Sequence, residues 1–447
     1  MQESVTPRTA AMVVPTPAPD ALAGRRVLIV VENLPVPLDR RVWQEATTLV
    51  AHGAEVSVIC PAVQGWDRLH EVIEGVHIWR HPLPEASAGL LAYAREYGSA
   101  LWHWFRLARR IRRERGFDVI HGCNPPDLVW VPALWHRLRG VAYIFDHHDV
   151  CPELYEAKFG RRGPAWVLMR VLERLNFAAA TVSIATNDSF ARIARTRGGM
   201  APEDVFTVRS GPRLNRFVPG PGNRALRAGA ETVLGWVGVI GRQEGLELLV
   251  AAMARLVAQG RSLHAVIVGF GPHLPAIRAE VTAHGLDGHF TFTGPLFGDD
   301  LVAALNACDI GVSPDPRNAM NDISTMNKVL EFMALEKPVV QFDLTEGRAS
   351  AGDAALYATP NDPADLAACI ARLIDDPGLA RRMGRIGRAR VTGAMTWEHQ
   401  VPALIAAYRR ALEKRGLVTA EQKKGAATRA ATPGAVPFAS VSSTQRP

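Results

Sequence analysis

Residues 232–272, TVLGWVGVIGRQEGLELLVAAMARLVAQGRSLHAVIVGFGP, hold two short β-branched runs separated by a longer segment, each run closing on glycine. Strand-like runs alternating with longer segments read as βαβ units on a parallel sheet. Gly238, Gly241, Gly269 and Gly271 fall at the ends of these runs, where backbone can approach a ligand closely. Taken singly, each turn is equally a tight strand-to-helix connection.

The rhythm extends in both directions. Downstream it continues through HFTFTG (289–294), DIGVSPDP (309–316) and PVVQFD (338–343), giving a second doubly wound domain at 207–396. Upstream, RVLIVVEN (26–33), AEVSVICP (54–61), DVIHGCN (118–124), AYIFDHHD (142–149) and ATVSIATN (180–187) give a first one at 25–206. The turn-rich TVRSGPRLNRFVPGPGN (207–223) joins them. Two such sheets face a shared cleft at the carboxyl ends of their strands, the expected active site. The Pro/Ala-rich residues 1–24 and the Lys/Ala/Thr/Ser/Pro-rich residues 415–447 are expected to be disordered tails.

At 447 residues, 48% hydrophobic and 21% charged, the chain is long enough for two cores. A net charge of +7 and pI near 9.4 favour an anionic partner. No recognised nucleic-acid motif accompanies that charge, so nucleic acid is not expected. Cys60, Cys123, Cys151, Cys308 and Cys369 are odd in number and scattered, arguing against a disulfide framework or zinc site and for the reducing cytoplasm. Neither a signal peptide nor a spanning segment is visible.

The sharpest motif is NDISTMNKVLEFMALEKPVV (321–340). Ser324 or Thr325 is expected to cap a helix held by Met326, Val329, Leu330 and Met333. Free amides around Asn327, with Lys328, would receive a diphosphate, and Glu331 would accept two hydrogen bonds from a ribose diol. The competing reading is a capped surface helix with Lys328 and Glu331 in water. In DHHDVCPELY (146–155), an imidazole at a strand end can donate to a sugar hydroxyl or steady charge on a leaving group. Adjacent strand residues point to opposite faces and chelate one ion poorly, so no metal is expected.

These motifs, with ENLPVPLDRRVWQEA (32–46), VRSGPRLNRF (208–217), VGFGP (268–272) and WEHQVPALIAAYRRAL (397–412), resemble the family 4 retaining glycosyltransferases of bacterial surface polysaccharide and glycolipid synthesis. The resemblance implies a GT-B fold: two Rossmann-like domains, with a terminal helix, 397–414, crossing back to the first. It implies metal-independent sugar transfer from a nucleoside diphosphate sugar with retention, and no cofactor beyond that donor substrate. His148 takes the family's cleft histidine and Glu331 the second acid of its Glu-x7-Glu motif. The first acid falls on Ile323, and the usual phosphate-gripping Arg and Lys on Val239 and Glu244. Asp322, Arg242 and Lys328 are expected to take over, beside Thr325 and Asn327. Catalysis is assigned to His148, Lys328 and Glu331. The loop with Pro37, Asp39, Arg40 and Arg41 would meet the acceptor, a glycan or lipid-linked glycan. A non-catalytic descendant that binds nucleotide or glycan is the rival reading.

In LLAYAREYGSALWHWFRLARRIRRERG (90–116), Leu90, Ala94, Tyr97, Leu101, Phe105, Ala108 and Ile111 form one expected core stripe. Arg95, Trp102, Arg106, Arg109 and Arg113 form another face, suited to anionic lipid headgroups at the inner side of the plasma membrane. A packed helix with a solvated basic face is the alternative.

Overall fold

The computed structural model describes residues 20–63, 65–82 and 90–417, with the side chains of 90–94, 96 and 97 left out. Eight strands form the first sheet: β1 (Arg26–Val30), β2 (Glu55–Ala62), β3 (His70–Ile73), β4 (Val76–Pro82), β5 (Val119–Cys123), β6 (Ala142–His147), β7 (Val182–Ala185) and β8 (Val205–Thr207). They lie in the order β3-β4-β2-β1-β5-β6-β7-β8, all parallel except the β3–β4 hairpin. The second sheet holds β9 (Thr232–Val239), β10 (Leu263–Phe270), β11 (Phe290–Gly294), β12 (Ile310–Ser313), β13 (Val339–Phe342) and β14 (Ala355–Ala358). Its order, β11-β10-β9-β12-β13-β14, is parallel throughout. Strand order reverses between β1 and β5 and between β9 and β12, and such switch points open crevices for ligands.

The first domain carries helices α1 (Arg40–Ala51), α2 (Leu90–Glu114), α3 (Trp130–Arg137), α4 (Cys151–Phe159), α5 (Pro164–Ala179) and α6 (Asp188–Thr196). The second carries α7 (Leu246–Ala258), α8 (Leu274–Ala283), α9 (Gly298–Asn306), α10 (Asn327–Ala334), α11 (Thr345–Ala351), α12 (Pro363–Asp375) and α13 (Pro377–Arg390). Each sheet is covered on both faces, which is why its strands read as near-continuous apolar runs.

Helix α14 (Trp397–Lys414) leaves the second domain and joins the core of the first through Trp397, Leu404, Ile405, Tyr408 and Leu412. The Trp397 indole donates to Thr48 Oγ1 at 2.8 Å. The two chain crossings between domains touch: a Cβ on Gly211 would lie 2.3 Å from the Met395 carbonyl oxygen and 2.6 Å from the Thr396 carbonyl carbon.

Three expectations need correction. Residues 20–24 belong to the folded domain, because Leu22 is buried in its core and its amide bonds to the His52 carbonyl at 2.9 Å. At the other end, Leu417 still packs on that core, beyond the expected start of the tail at 415. On α2 the buried face is Ala100, Trp104, Leu107, Ala108 and Ile111, with Leu101 and Phe105 at its margins. Trp104 turns inward because its indole donates to the buried Glu32 carboxylate at 2.9 Å. Leu90, Ala94 and Tyr97 lie outside the described side chains, while Arg95, Trp102, Arg106, Arg109 and Arg113 are exposed.

Candidate active site

The site is built where the opening of α1 and the connector at 210–217 meet the start of α10. A pocket of about 130 Å³ lies there, lined by residues that include Pro37, Arg40, Arg41, Trp43, Ser210, Arg213, Arg216, Asn327 and Glu331. Helix α10 begins behind Met326 with no side-chain cap. Ser324 does not cap it, since its hydroxyl donates to the Met320 carbonyl at 2.7 Å, and Thr325 Oγ1 accepts from Asn187 at 3.1 Å. The first amides of α10 therefore keep unspent donors and the positive end of the helix dipole.

Glu331 sits one turn further on and is buried. Its Oε1 accepts from the half-exposed Arg40 guanidinium at 2.6 Å, across the domain boundary, while Oε2 has no hydrogen-bond partner. A buried carboxylate oxygen left unpaired costs about 1–3 kcal/mol, so the geometry asks for a donor from a ligand. Arg216 lines the same pocket; burial and the nearby Arg40 lower its guanidinium below the usual arginine range.

Of the other acceptor-loop residues, Pro37 lines the pocket, while Asp39 and Arg41 are spent structurally. Asp39 caps α1, accepting from the Val42 amide at 3.0 Å. Arg41, expected to meet an acceptor, is buried and turned inward. It donates to Asp146 Oδ1 at 2.9 Å and to the Val208 carbonyl at 2.8 Å, and pairs with Glu45 at 3.1 Å.

His148 enters this same network. Its Nε2 lies 2.5 Å from Asp146 Oδ2 and accepts from the Arg41 Nε at 3.0 Å, contacts that orient the ring. Asn124 Oδ1 accepts from the His148 and Asp149 amides at 2.7 and 3.2 Å, fixing the loop; its role was invisible without the pairing of β5 with β6. Burial alone would raise the Asp146 carboxyl, but Arg41, His148 and a hydrogen bond from His121 hold it well below the usual range. Burial, then the Asp146 charge, pushes Glu45 well above its usual value despite Arg41. Arg41 thus meets two carboxyls, Asp146 at 2.9 Å and Glu45 at 3.1 Å, of which Asp146 is the stronger acid. Ligand atoms of Glu45, Cys123, Asp146 and His148 lie within 4.8 Å of one another, as a cation would need. The Arg41 guanidinium is already the cation of that cluster, and burial holds the Cys123 thiol well above its usual value.

The expected phosphate grip is arranged differently. Lys328 is buried over the Trp236 ring and donates to Asp315 at 2.7 Å and Glu244 at 2.8 Å. Burial opposes its charge, but these two carboxylates more than compensate and raise its pKa. Lys328 is thus a neutralised strut in this state, not a free cation. Asp322 is also diverted: its oxygens accept from the Thr345 amide and hydroxyl at 3.1 and 2.9 Å, at the start of α11. Ile323 packs against the first domain's core, and its carbonyl accepts from Asn187 at 2.9 Å. Arg242 remains exposed on the turn after β9, with no hydrogen bond among the described residues. The glycine turns pack on each other, for a Cβ on Gly269 would lie 1.9 Å from the Gly238 carbonyl oxygen and one on Gly271 2.3 Å from that of Ile240. A Cβ on Gly241 would meet the Gln243 side chain at 2.6 Å. Backbone packing accounts for Gly269 and Gly271 before any ligand is considered, whereas the flexible Gln243 side chain opposite Gly241 can swing aside.

The profile of the Glycosyl transferase 4-like domain matches residues 38–211, and that of Glycosyl transferases group 1 matches residues 231–376. The alpha-D-kanosaminyltransferase of Streptomyces kanamyceticus is 24% identical over 331 residues, 69% of this chain and 82% of that protein. A glycogen synthase of Mycobacterium tuberculosis is 25% identical over 395 residues, 83% and 90% of the two chains. The match to the 2-deoxystreptamine glucosyltransferase of S. kanamyceticus, 29% identical, spans 46% of that protein and 41% of this chain. Among solved structures, sucrose-phosphate synthase from Thermosynechococcus elongatus superposes with a TM-score of 0.67 at 19% identity, covering 90% of this chain and all of that one. Anabaena HepE, solved with UDP and glucose, superposes at 0.65 with 16% identity over 88% of this chain and all of its own. Two facing doubly wound domains, a crossing terminal helix and two profiles in this order lead to one conclusion: the chain belongs to the group 1 glycosyltransferases of GT-B architecture.

Proposed function

We propose that the protein transfers a sugar, with retention, from a nucleoside diphosphate donor to a glycan or lipid-linked glycan in cell-surface polysaccharide synthesis. The observation that carries this reading is Glu331, buried beside the uncapped start of α10 with one carboxylate oxygen unpaired at the interdomain pocket. A ribose diol would supply the missing donor by displacing or joining Arg40, and the diphosphate would lie on the amides around Asn327. The solved HepE complex with UDP and glucose supports such a donor by analogy of fold. His148, its ring held by Asp146, would donate to the sugar, and the leaving phosphate would take the acceptor's proton, since no side chain here stands as a nucleophile. Arg40 and Arg216 would meet an acceptor phosphate. Among the described residues no helix is long and apolar enough to cross a membrane. Work at the inner membrane face would then rest on peripheral contact, for which the basic side of α2 is suited.

Ile323 in place of the first motif acid, together with the internal pairing of Lys328, favours a second reading: nucleotide binding without turnover. Calorimetric titration with a panel of nucleoside diphosphates and their sugars tests both. Binding that falls at least roughly tenfold in Glu331→Ala, as loss of hydrogen bonds to a charged group implies, supports the donor site. Binding without product formation on any acceptor selects the second reading, and no binding to any nucleotide rejects both.

A further inference from the structure

Helix α5 buries Glu173, Asn176, Phe177 and Ala179 on one side. Its opposite side leaves Val167, Leu168, Val171 and Leu175 exposed at 56, 57, 49 and 38%. At 100° per residue these four fall within an arc of about 100°, the width of a stripe that normally packs on a core. Phe159, also exposed, ends α4, where Gly160 in the left-handed region turns the chain toward α5. Four large aliphatics on one solvent-facing helix need an occupant.

The charge around the stripe says which. Arg161, Arg162 and Arg174 are exposed beside it, and Arg162 and Arg170 each sit 5.2 Å over the Trp166 ring. The neighbouring acids are already used: Glu156 pairs with Arg162 at 2.9 Å, and Glu173 is buried against Arg197 at 2.5 Å. A second copy docked through the same stripe would bring like arginines together with no free carboxylate to separate them. A bilayer interface offers acyl carbon to the aliphatics and anionic phosphate to the arginines.

We propose that the α5 stripe, rimmed by these arginines, is an interfacial docking element that inserts into the surface of an anionic bilayer. It adds an inserting element to the proposed contact of α2 with lipid, and so rests on that reading of the first domain, not on the donor chemistry. Helix α5 packs on α3, and α3 on α2, so both basic helices belong to one layer. Helix α4 starts at Cys151, three residues after His148, and ties the stripe to the loop that carries the imidazole.

The test is co-sedimentation of the full chain with vesicles of phosphatidylcholine, alone or mixed with phosphatidylglycerol, at low and high salt. Wild type should bind the mixed vesicles, and part of that binding should survive high salt, because insertion is apolar. Val167→Ser/Leu168→Ser/Val171→Ser should lose roughly tenfold or more in partitioning. Its nucleotide affinity should stay unchanged and its melting temperature should fall only by a few degrees, since the three side chains are about half exposed. Arg170→Gln/Arg174→Gln should lose roughly fivefold per arginine on anionic vesicles only. Wild-type binding by the triple variant overturns the inference. If it is instead Arg106→Gln/Arg109→Gln/Arg113→Gln that abolishes binding, the α2 reading stands alone. Failure of wild type to bind any vesicle overturns both. A wild-type dimer in light scattering that the triple variant dissolves would make the occupant a second copy and overturn the inference as well.

Discussion

Glu45 and Arg40 show how a residue's role is set by partners far away in sequence. Between the ordinary carboxyl value of 4.5 and the raised value of Glu45, the folded state keeps a proton that the unfolded chain has released. Stability contributed by this acid therefore falls as pH rises through that window. Glu45→Gln removes the proton exchange and keeps the shape, so urea unfolding should show a flatter pH dependence above 4.5 than wild type. An unchanged slope would place the titration elsewhere. Asp146 has the opposite sign, its stabilisation being full above its ordinary value of 3.8 and lost as pH falls through its depressed one. Asp146→Asn removes the carboxylate that Arg41 meets at 2.9 Å and should lower the midpoint of urea unfolding at neutral pH, with Glu45, 3.1 Å from Arg41, left as the counter-charge. Arg40→Ala strips the buried Glu331 carboxylate of its hydrogen bond at Oε1 and should cost about 1–3 kcal/mol. If Arg40 competes with ribose for Glu331, that variant should bind nucleoside diphosphate at least as tightly as wild type, and a tenfold weaker affinity would refute the competition. Motif spacing marked Glu331, His148 and Arg40 as site residues, and all three lie in or beside the cleft. It assigned Arg41 and Lys328 to ligands because Asp146 and Glu244 lie 105 and 84 positions away, and because Asp315, only 13 positions from Lys328, sits on the loop after β12 and meets it only through the fold.

Among the elements, strands and their order were the most readable. Runs such as Val27–Val31 and Val266–Val268 are buried on both faces and show it as unbroken hydrophobicity. Helix faces were less so. On α2, hydrophobic spacing alone admits two neighbouring stripes, and the indole bond to Glu32, 72 positions away, selects the one containing Trp104. The crossing elements carry a prediction of their own. Gly211 and the 395–397 segment are in backbone contact, so Gly211→Ala must push apart the two connections between domains. The expected loss is about 1–3 kcal/mol, as for overpacking elsewhere, read as a lower midpoint in urea. An unperturbed midpoint would show that the crossings separate freely.

At the scale of the whole molecule, the domains are held together by a few contacts that a ligand must either use or break. Asn187 is central: its Oδ1 caps α6 by accepting from the Phe190 amide at 2.8 Å, while its Nδ2 reaches Ile323 O and Thr325 Oγ1 on the other domain. Nearby, the Ser189 amide donates to Glu346 at 3.2 Å, and Arg40 meets Glu331 across the pocket. This contact, polar apart from Met320 and Ile323 packed on the first domain's core, suits hinged closure about the connector and the 391–395 turn. Asn187→Asp separates the two duties of the residue, since Asp is as good an N-cap as Asn but offers no amide to the second domain. Its new carboxylate would face the Ile323 carbonyl and be repelled by it. The variant should therefore keep the melting behaviour of the first domain yet show a larger radius of gyration in solution scattering. A donor nucleotide that bridges the cleft should shrink that radius back toward the wild-type value, because binding energy then replaces the lost contact. Equal radii for both proteins without ligand would mean that the Asn187 bridge does not hold the domains closed.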